Sequence, residues 1–104
     1  MSVIMTLRTK ADPAAVEAYA AANPETLAEV IAISKTHGVI AHRFYGSDDG
    51  QIMVIDEWPD AESFNTFFGA TESLIGPMMG AVGASPPEIT FWRKLETNDD
   101  VGWE

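Results

Sequence analysis

One histidine and two adjacent acids carry most of the chemistry this chain can offer. His42 stands between Ile40 and Phe44 in the apolar, β-rich run from Val39 to Gly46, and alternation puts all three on one side of a strand. The neighbouring run, Ile52 to Trp58, contains Asp56 and Glu57. A histidine changes charge in the physiological range and accepts a proton from an acidic hydroxyl or an enolisable carbon, and a carboxylate beside it fixes which ring nitrogen carries the proton. Asp56 and Glu57 point to opposite faces, so they cannot act together on one substrate. Which of them meets His42 depends on the turn between the runs. A loop of two residues (49–50) or four (47–50) leaves His42 sharing a face with Ile55 and Glu57, whereas a loop of three sets it opposite Asp56. Such a pair suits deprotonation of an electron-rich phenol, whose anion can pass an electron to oxygen without a cofactor, and it equally suits enolisation in a cyclase. The plain alternative is a satisfied, half-buried histidine.

A second group is apolar. Phe64, Phe67, Phe68, Leu74, Met78 and Met79 recur at helical spacing, the pattern of a core-facing stripe. Gly76 and Pro77 interrupt it beside two methionines, which adapt to irregular shapes, and an apolar wall with few polar groups is how small-molecule pockets are lined. His37, followed by Gly38, reads as a helix terminus.

The elements that must position these groups are readable in order. Val3 to Thr9 reads as a strand, and Asp12-Pro13 as the start of one long helix, kinked or re-capped at Pro24 and stopped at Gly38. The two strands around Ser47-Asp48-Asp49-Gly50 form a hairpin. Asp60 caps a second helix, broken at Gly69 and restarted at Thr71; a Gly/Ala/Ser/Pro loop from Gly80 to Pro87 leads to a last strand, Ile89 to Leu95. This order predicts an α+β fold: a ferredoxin-like split βαβ, antiparallel four-stranded sheet with helices on one face. Residues 1–95 form the single domain, and 96–104 are an acidic tail. Trp58 is expected at the sheet edge. Both alternations of the strands are substantially apolar, Val3, Met5 and Leu7 against Ile4, and Ile52 and Val54 against Met53 and Ile55. The face away from the helices therefore needs a partner, and a second copy is the economical one. Of Phe91 and Trp92, which alternate, one belongs to that interface, with the tail and Trp103 reaching across.

Composition bounds the partners. The chain has 104 residues, six Lys and Arg against sixteen Asp and Glu, a formal net charge of -10, and no cysteine. Nucleic acid and anionic lipid surfaces repel such a chain, and thiolate chemistry is absent. No signal-peptide pattern or membrane-spanning run is present, so the expected address is cytoplasmic. Two histidines five residues apart make no metal ligand set, and Asp48-Asp49-Gly50 resembles the start of a calcium loop without its later ligands. No glycine-rich phosphate loop follows a strand, and the bases are scattered where haem propionates would need them together. No cofactor or metal is expected.

The segment Glu57-Trp58-Pro59-Asp60-Ala61-Glu62-Ser63-Phe64-Asn65-Thr66-Phe67-Phe68, with the strand before it, resembles the central stretch of antibiotic biosynthesis monooxygenase domains. That pattern is a strand ending in an acid, a Trp or Tyr, then a capped helix with paired apolar residues, and the order of elements from Ser2 to Leu95 is similar too. The resemblance implies a dimeric α+β barrel with a cavity between sheet and helices. It implies a small apolar or aromatic ligand, and cofactor-independent oxygenation of phenolic or polyketide-type molecules with His42 as base. Met5 takes the approximate place of a first-strand Asn in the oxygenating and haem-degrading members. Phe67 stands for a helical Trp or His, and Gly76 to Met79 for the region of a later His. Those replacements favour a non-catalytic ligand-binding or dimerisation module as the alternative, ahead of a polyketide cyclase and then of haem degradation.

Overall fold

The computed structural model describes residues 1–102. Its elements are β1 (Val3–Lys10), α1 (Pro13–Ala22), α2 (Pro24–Thr36), β2 (Ala41–Gly46), β3 (Gln51–Trp58), α3 (Ala61–Ala70), α4 (Glu72–Ala81) and β4 (Glu88–Trp92). The strands form one antiparallel sheet in the order β2-β3-β1-β4. This is the α+β, ferredoxin-like arrangement expected from the order of elements. Trp103, expected to reach across a dimer, lies outside the described residues.

The helix boundaries follow local chemistry. Asp12 Oδ1 accepts from the Ala14 amide at 3.0 Å, and Pro13 occupies the first turn, where its missing N–H costs nothing. The single long helix expected here is two, because Pro24 cannot donate back into the preceding turn. Asn23 closes α1, its backbone N–H and side-chain amide both donating to the Tyr19 carbonyl, at 2.9 and 3.0 Å. Gly38, with φ +89°, takes the left-handed turn after α2, and His37 is its C-terminal cap. In the second helical pair the break falls at Thr71, a fully buried residue whose Oγ1 donates to the Phe67 carbonyl at 2.9 Å. Pro77 lies inside α4 without ending it.

Asp60 caps α3 by accepting from the Ser63 amide at 2.7 Å. That bond first, and the Ser63 hydroxyl second, hold the Asp60 carboxyl below the usual carboxylate range. Its folded value is the depressed one, so its contribution to stability is present above the ordinary carboxylate range and is lost as pH falls through the folded value. Asp60→Asn keeps a capping oxygen but does not titrate. Thermal melts are therefore expected to show a wild-type advantage over this variant at pH 6 that shrinks steadily between pH 4 and pH 2.

The sheet sorts its side chains by parity. Met5, Leu7, Ile52, Val54, Asp56 and Trp58 are buried on the helix side, and Met5, Leu7, Val54 and Trp58 build the core with Phe64 and Phe67 of α3. Trp58 is thus 0% exposed rather than at the sheet edge. It shares the face of Val54 and Asp56, and α3 folds its phenylalanines over it, Phe64 edge-on at 5.8 Å and Phe67 at 5.1 Å between ring centroids. Strand β4 is shorter than expected, ending at Trp92 rather than Leu95. Trp92 pairs with Ile4, and the next positions of the partner strand, Val3 and Ser2, are its first residue and the one before it. On the opposite face Ile4, Met53 and Ile55 are half-buried, Tyr45 is exposed, and Trp92 is 54% exposed with its indole N–H donated to Thr6 Oγ1 at 2.8 Å. Phe91 lies on the helix side, edge-on to Phe64. No helix among the described residues is long and apolar enough to cross a membrane.

Candidate functional site

The turn settles which acid meets His42. Gly46 pairs with Ile52, and the Ser47 amide donates to the Gln51 carbonyl at 2.9 Å, leaving Asp48, Asp49 and Gly50 as a three-residue loop. Gly50 sits at φ +83°, the left-handed position that closes such a loop. Asp49 bonds the Ser47 hydroxyl and the Gln51 amide, and these, Ser47 first, hold its carboxyl below the usual range. The register that follows places His42 directly across from Asp56. Glu57 faces the other side of the sheet, where it accepts from the Ser2 hydroxyl at 2.5 Å.

His42 Nδ1 lies 2.7 Å from Asp56 Oδ1. The other carboxylate oxygen, Oδ2, accepts the indole N–H of Trp58 at 3.1 Å. Asp56 is 4% exposed and the imidazole 29%. A buried carboxylate needs donors on its oxygens, and this one has two. A carboxylate only accepts, so the hydrogen between Asp56 and His42 resides on Nδ1, and in the neutral imidazole it is Nε2 that carries the lone pair. The result is a chain from Trp58 through Asp56 to His42 that ends in a proton acceptor. Phe44, edge-on to the imidazole at 5.3 Å between centroids, restricts the ring's rotation.

His42 and Asp56 belong to the wall of a cavity of about 240 Å³ between the sheet and the helices. The wall is overwhelmingly apolar. Met5, Phe64, Phe67, Phe68, Met78 and Met79, all expected there, line it. Leu74 does not, and Ile75 takes its place. The physical reason is the break at Thr71: α4 is a new helix whose inward face runs Ile75, Met78, Met79 and Val82, so the phase of α3 does not carry across. Thr9 and Ser34 also reach the wall, but their hydroxyls donate to the carbonyls of Ser85 and Ile31, each at 2.6 Å. Besides Asp56, three titratable side chains belong to the wall, His42 of β2 and Glu17 and Tyr19 of α1, and of these His42 is the one held in place by a buried carboxylate. Among the described residues no group of three or more His, Asp or Glu side chains is arranged to hold a metal ion.

Two contributors were not read from the sequence. Trp58 is the second partner of Asp56, and its signal was present, since residues two apart on a strand share a face. The other is the stripe of α1 and α2, including Tyr19, Leu27, Val30 and Ile31, which reads as core but forms the far wall of the cavity. None of α1 is fully buried, because the helix stands off the sheet.

A scan against protein-family models gives no match, and a search of curated proteins gives none either. Solved structures do resemble the chain. SnoaB of Streptomyces nogalater, described as a cofactor-independent oxygenase, matches with a TM-score of 0.62 at 19% identity, over 95% of this chain and 98% of that one. The monooxygenase ActVA-Orf6 of Streptomyces coelicolor, in complex with nanaomycin D, matches with a TM-score of 0.71 at 16% identity, over 96% and 93%. A dimeric ferredoxin-like protein from an uncultured marine organism matches with a TM-score of 0.67 at 9% identity, over 96% and 93%. At such identities the likeness is one of fold, and function has to be argued from the site. The chain has the ferredoxin-like α+β fold found in antibiotic biosynthesis monooxygenase-type structures.

Proposed function

We propose that this chain binds a small aromatic molecule between its sheet and helices and oxygenates it without a cofactor, His42 acting as the base. The observation that carries the reading is the Asp56-anchored imidazole on the wall of a largely apolar cavity. His42 Nε2 takes the phenolic proton, and the anion gives one electron to O2, forming an aryloxyl radical and superoxide. These couple through a new C–O bond as a peroxide. His42 returns its proton to the peroxide, and the O–O bond and the C–H bond at that carbon then break, the leaving hydroxide taking up the carbon's proton as water and a carbonyl remaining. The apolar wall excludes water, which keeps the anion reactive and holds the ring beside the base. The fold shared with SnoaB and ActVA-Orf6 supports this chemistry. Anthrone, whose enol tautomer is a three-ring phenol, is a suitable probe. With a chelator present and no flavin, oxygen uptake is expected to accompany anthraquinone formation, one atom of 18O2 entering the product and the other water. Uptake no faster than with His42→Ala would exclude the oxygenase. Anthrone binding without turnover would instead support the module reading, which Met5 and Phe67 favour by placing apolar groups on the cavity wall.

We infer, further, that two copies pair through the face away from the helices. Ile4, Met53, Ile55, Tyr45 and Trp92 make an apolar patch there, and one structure of the same fold is described as dimeric. Light scattering at micromolar concentration is expected to give the mass of two chains, and Ile55→Glu, a charge at the middle of that patch, to give the mass of one. A single-chain mass for the unaltered protein would refute the pairing.

A further inference from the structure

The charges around the cavity carry information about its ligand, given the reading that the cavity is a ligand site. Two acids belong to its wall, Asp56, buried, and Glu17, exposed on α1. None of the six Lys and Arg residues does. The bases are placed elsewhere. Arg8 pairs with Glu88 at 3.0 Å, on the sheet face opposite Met5 and Leu7. Lys94 lies 2.9 Å from Asp100 and 3.5 Å from Glu96, and Asp100 first among these raises its pKa. Arg43 donates to the Tyr45 hydroxyl. The chain's net charge of -10 adds a long-range field of the same sign as the cavity acids.

An aromatic molecule bearing a carboxylate would enter this site against all of these charges. It would lose hydration and find no guanidinium or ammonium to replace it, which for a buried anion is prohibitive unless it is paired. The imidazole does not supply the missing cation, because Asp56 already faces it. A neutral phenol meets no such barrier, and the anion it forms during reaction is created beside the newly protonated His42, so charge is separated rather than added. Size narrows the class further. At about 240 Å³ the cavity has room for a fused-ring aromatic skeleton.

We propose that the cavity selects neutral fused-ring aromatic molecules and rejects the same skeletons carrying a carboxylate, with Asp56 and Glu17 supplying the rejection. The test is a pair of probes of nearly equal shape, 1-naphthamide and 1-naphthoate, titrated calorimetrically into the intact protein at pH 7.5. The amide is expected to bind at least tenfold more tightly. Asp56→Asn is expected to bring the ratio below threefold. Glu17→Lys, at an exposed position where folding is unaffected, is expected to raise naphthoate affinity severalfold, and to do so less at high salt. Equal affinities, or tighter naphthoate, would overturn the charge selection while leaving the cavity a binding site. Binding of neither probe would overturn the ligand-site reading and the selectivity with it.

Discussion

Replacing His42 by alanine is expected to lower anthrone oxygenation by about 10² to 10⁴-fold, the usual contribution of a positioned base, while the Kd for anthrone changes by about twofold or less. The asymmetry follows from the site. Contact with the ligand is spread over a wall of phenylalanines and methionines, whereas proton transfer is concentrated in one ring nitrogen. Asp56→Asn should act almost as strongly by another route. Its side chain is nearly isosteric but carries a donor, and a donor facing Nδ1 makes that nitrogen the acceptor. The proton then moves to Nε2, where the substrate's proton was to go. Stopped-flow turnover with separate equilibrium binding checks both variants. If binding collapses along with turnover, the pair is part of the architecture of the cavity rather than its base.

Trp58→Ala is expected to cost about 4 kcal/mol of folding stability, measured by urea unfolding. The indole is 0% exposed and packed against Phe64 and Phe67, so its removal leaves a hole bounded by rigid rings. Against the roughly 5 to 15 kcal/mol that stabilises an ordinary domain, this is a large fraction. Trp58→Phe separates the two roles of the residue. It retains most of the ring and removes only the N–H, leaving Asp56 Oδ2 without its donor, for an expected loss of about 1 to 3 kcal/mol. The same substitution frees the carboxylate to rotate, so the 15N shifts of the His42 ring should show a weakened preference for the Nδ1-protonated tautomer. A loss of stability with those shifts unchanged would confine Trp58 to packing.

Much of the architecture could be read from local signals. Asp12, Asp60, Gly38 and the Asp49-Gly50 dipeptide are punctuation, and each marks an element boundary in the structure. The apolar wall was legible because Phe64, Phe67 and Phe68 repeat at helical spacing, yet periodicity does not distinguish a filled core from a hollow one. Val30 and Ile31 show the same stripe whether α2 rests on the sheet or stands away from it. Leu74 was misplaced for a related reason, since the offset between α3 and α4 is set by the Thr71 hydrogen bonds and not by the apolar pattern. The partner of His42 was narrowed to two adjacent acids and no further, because Asp-Gly is compatible with loops of different length. Trp58 was read as an edge residue because its bond to Asp56 is visible only when strand parity and the carboxylate's need for two donors are considered together.

The length of that loop gives the hairpin the property of a reading frame. His42 and Asp56 meet because three residues separate the paired ends, and side chains alternate with a period of two. Inserting or deleting one residue between Ser47 and Gln51 would leave both strands, the cavity and every residue of the dyad in the sequence. Where the turn keeps its three-residue form, the pairing slips by one residue, which brings Ile55 or Glu57 into register with His42 and sends Asp56 out of reach. Relatives with this fold can therefore gain or lose the base through a length change at an exposed turn, so aligned dyad residues are evidence of shared chemistry only where the turn between them has the same length.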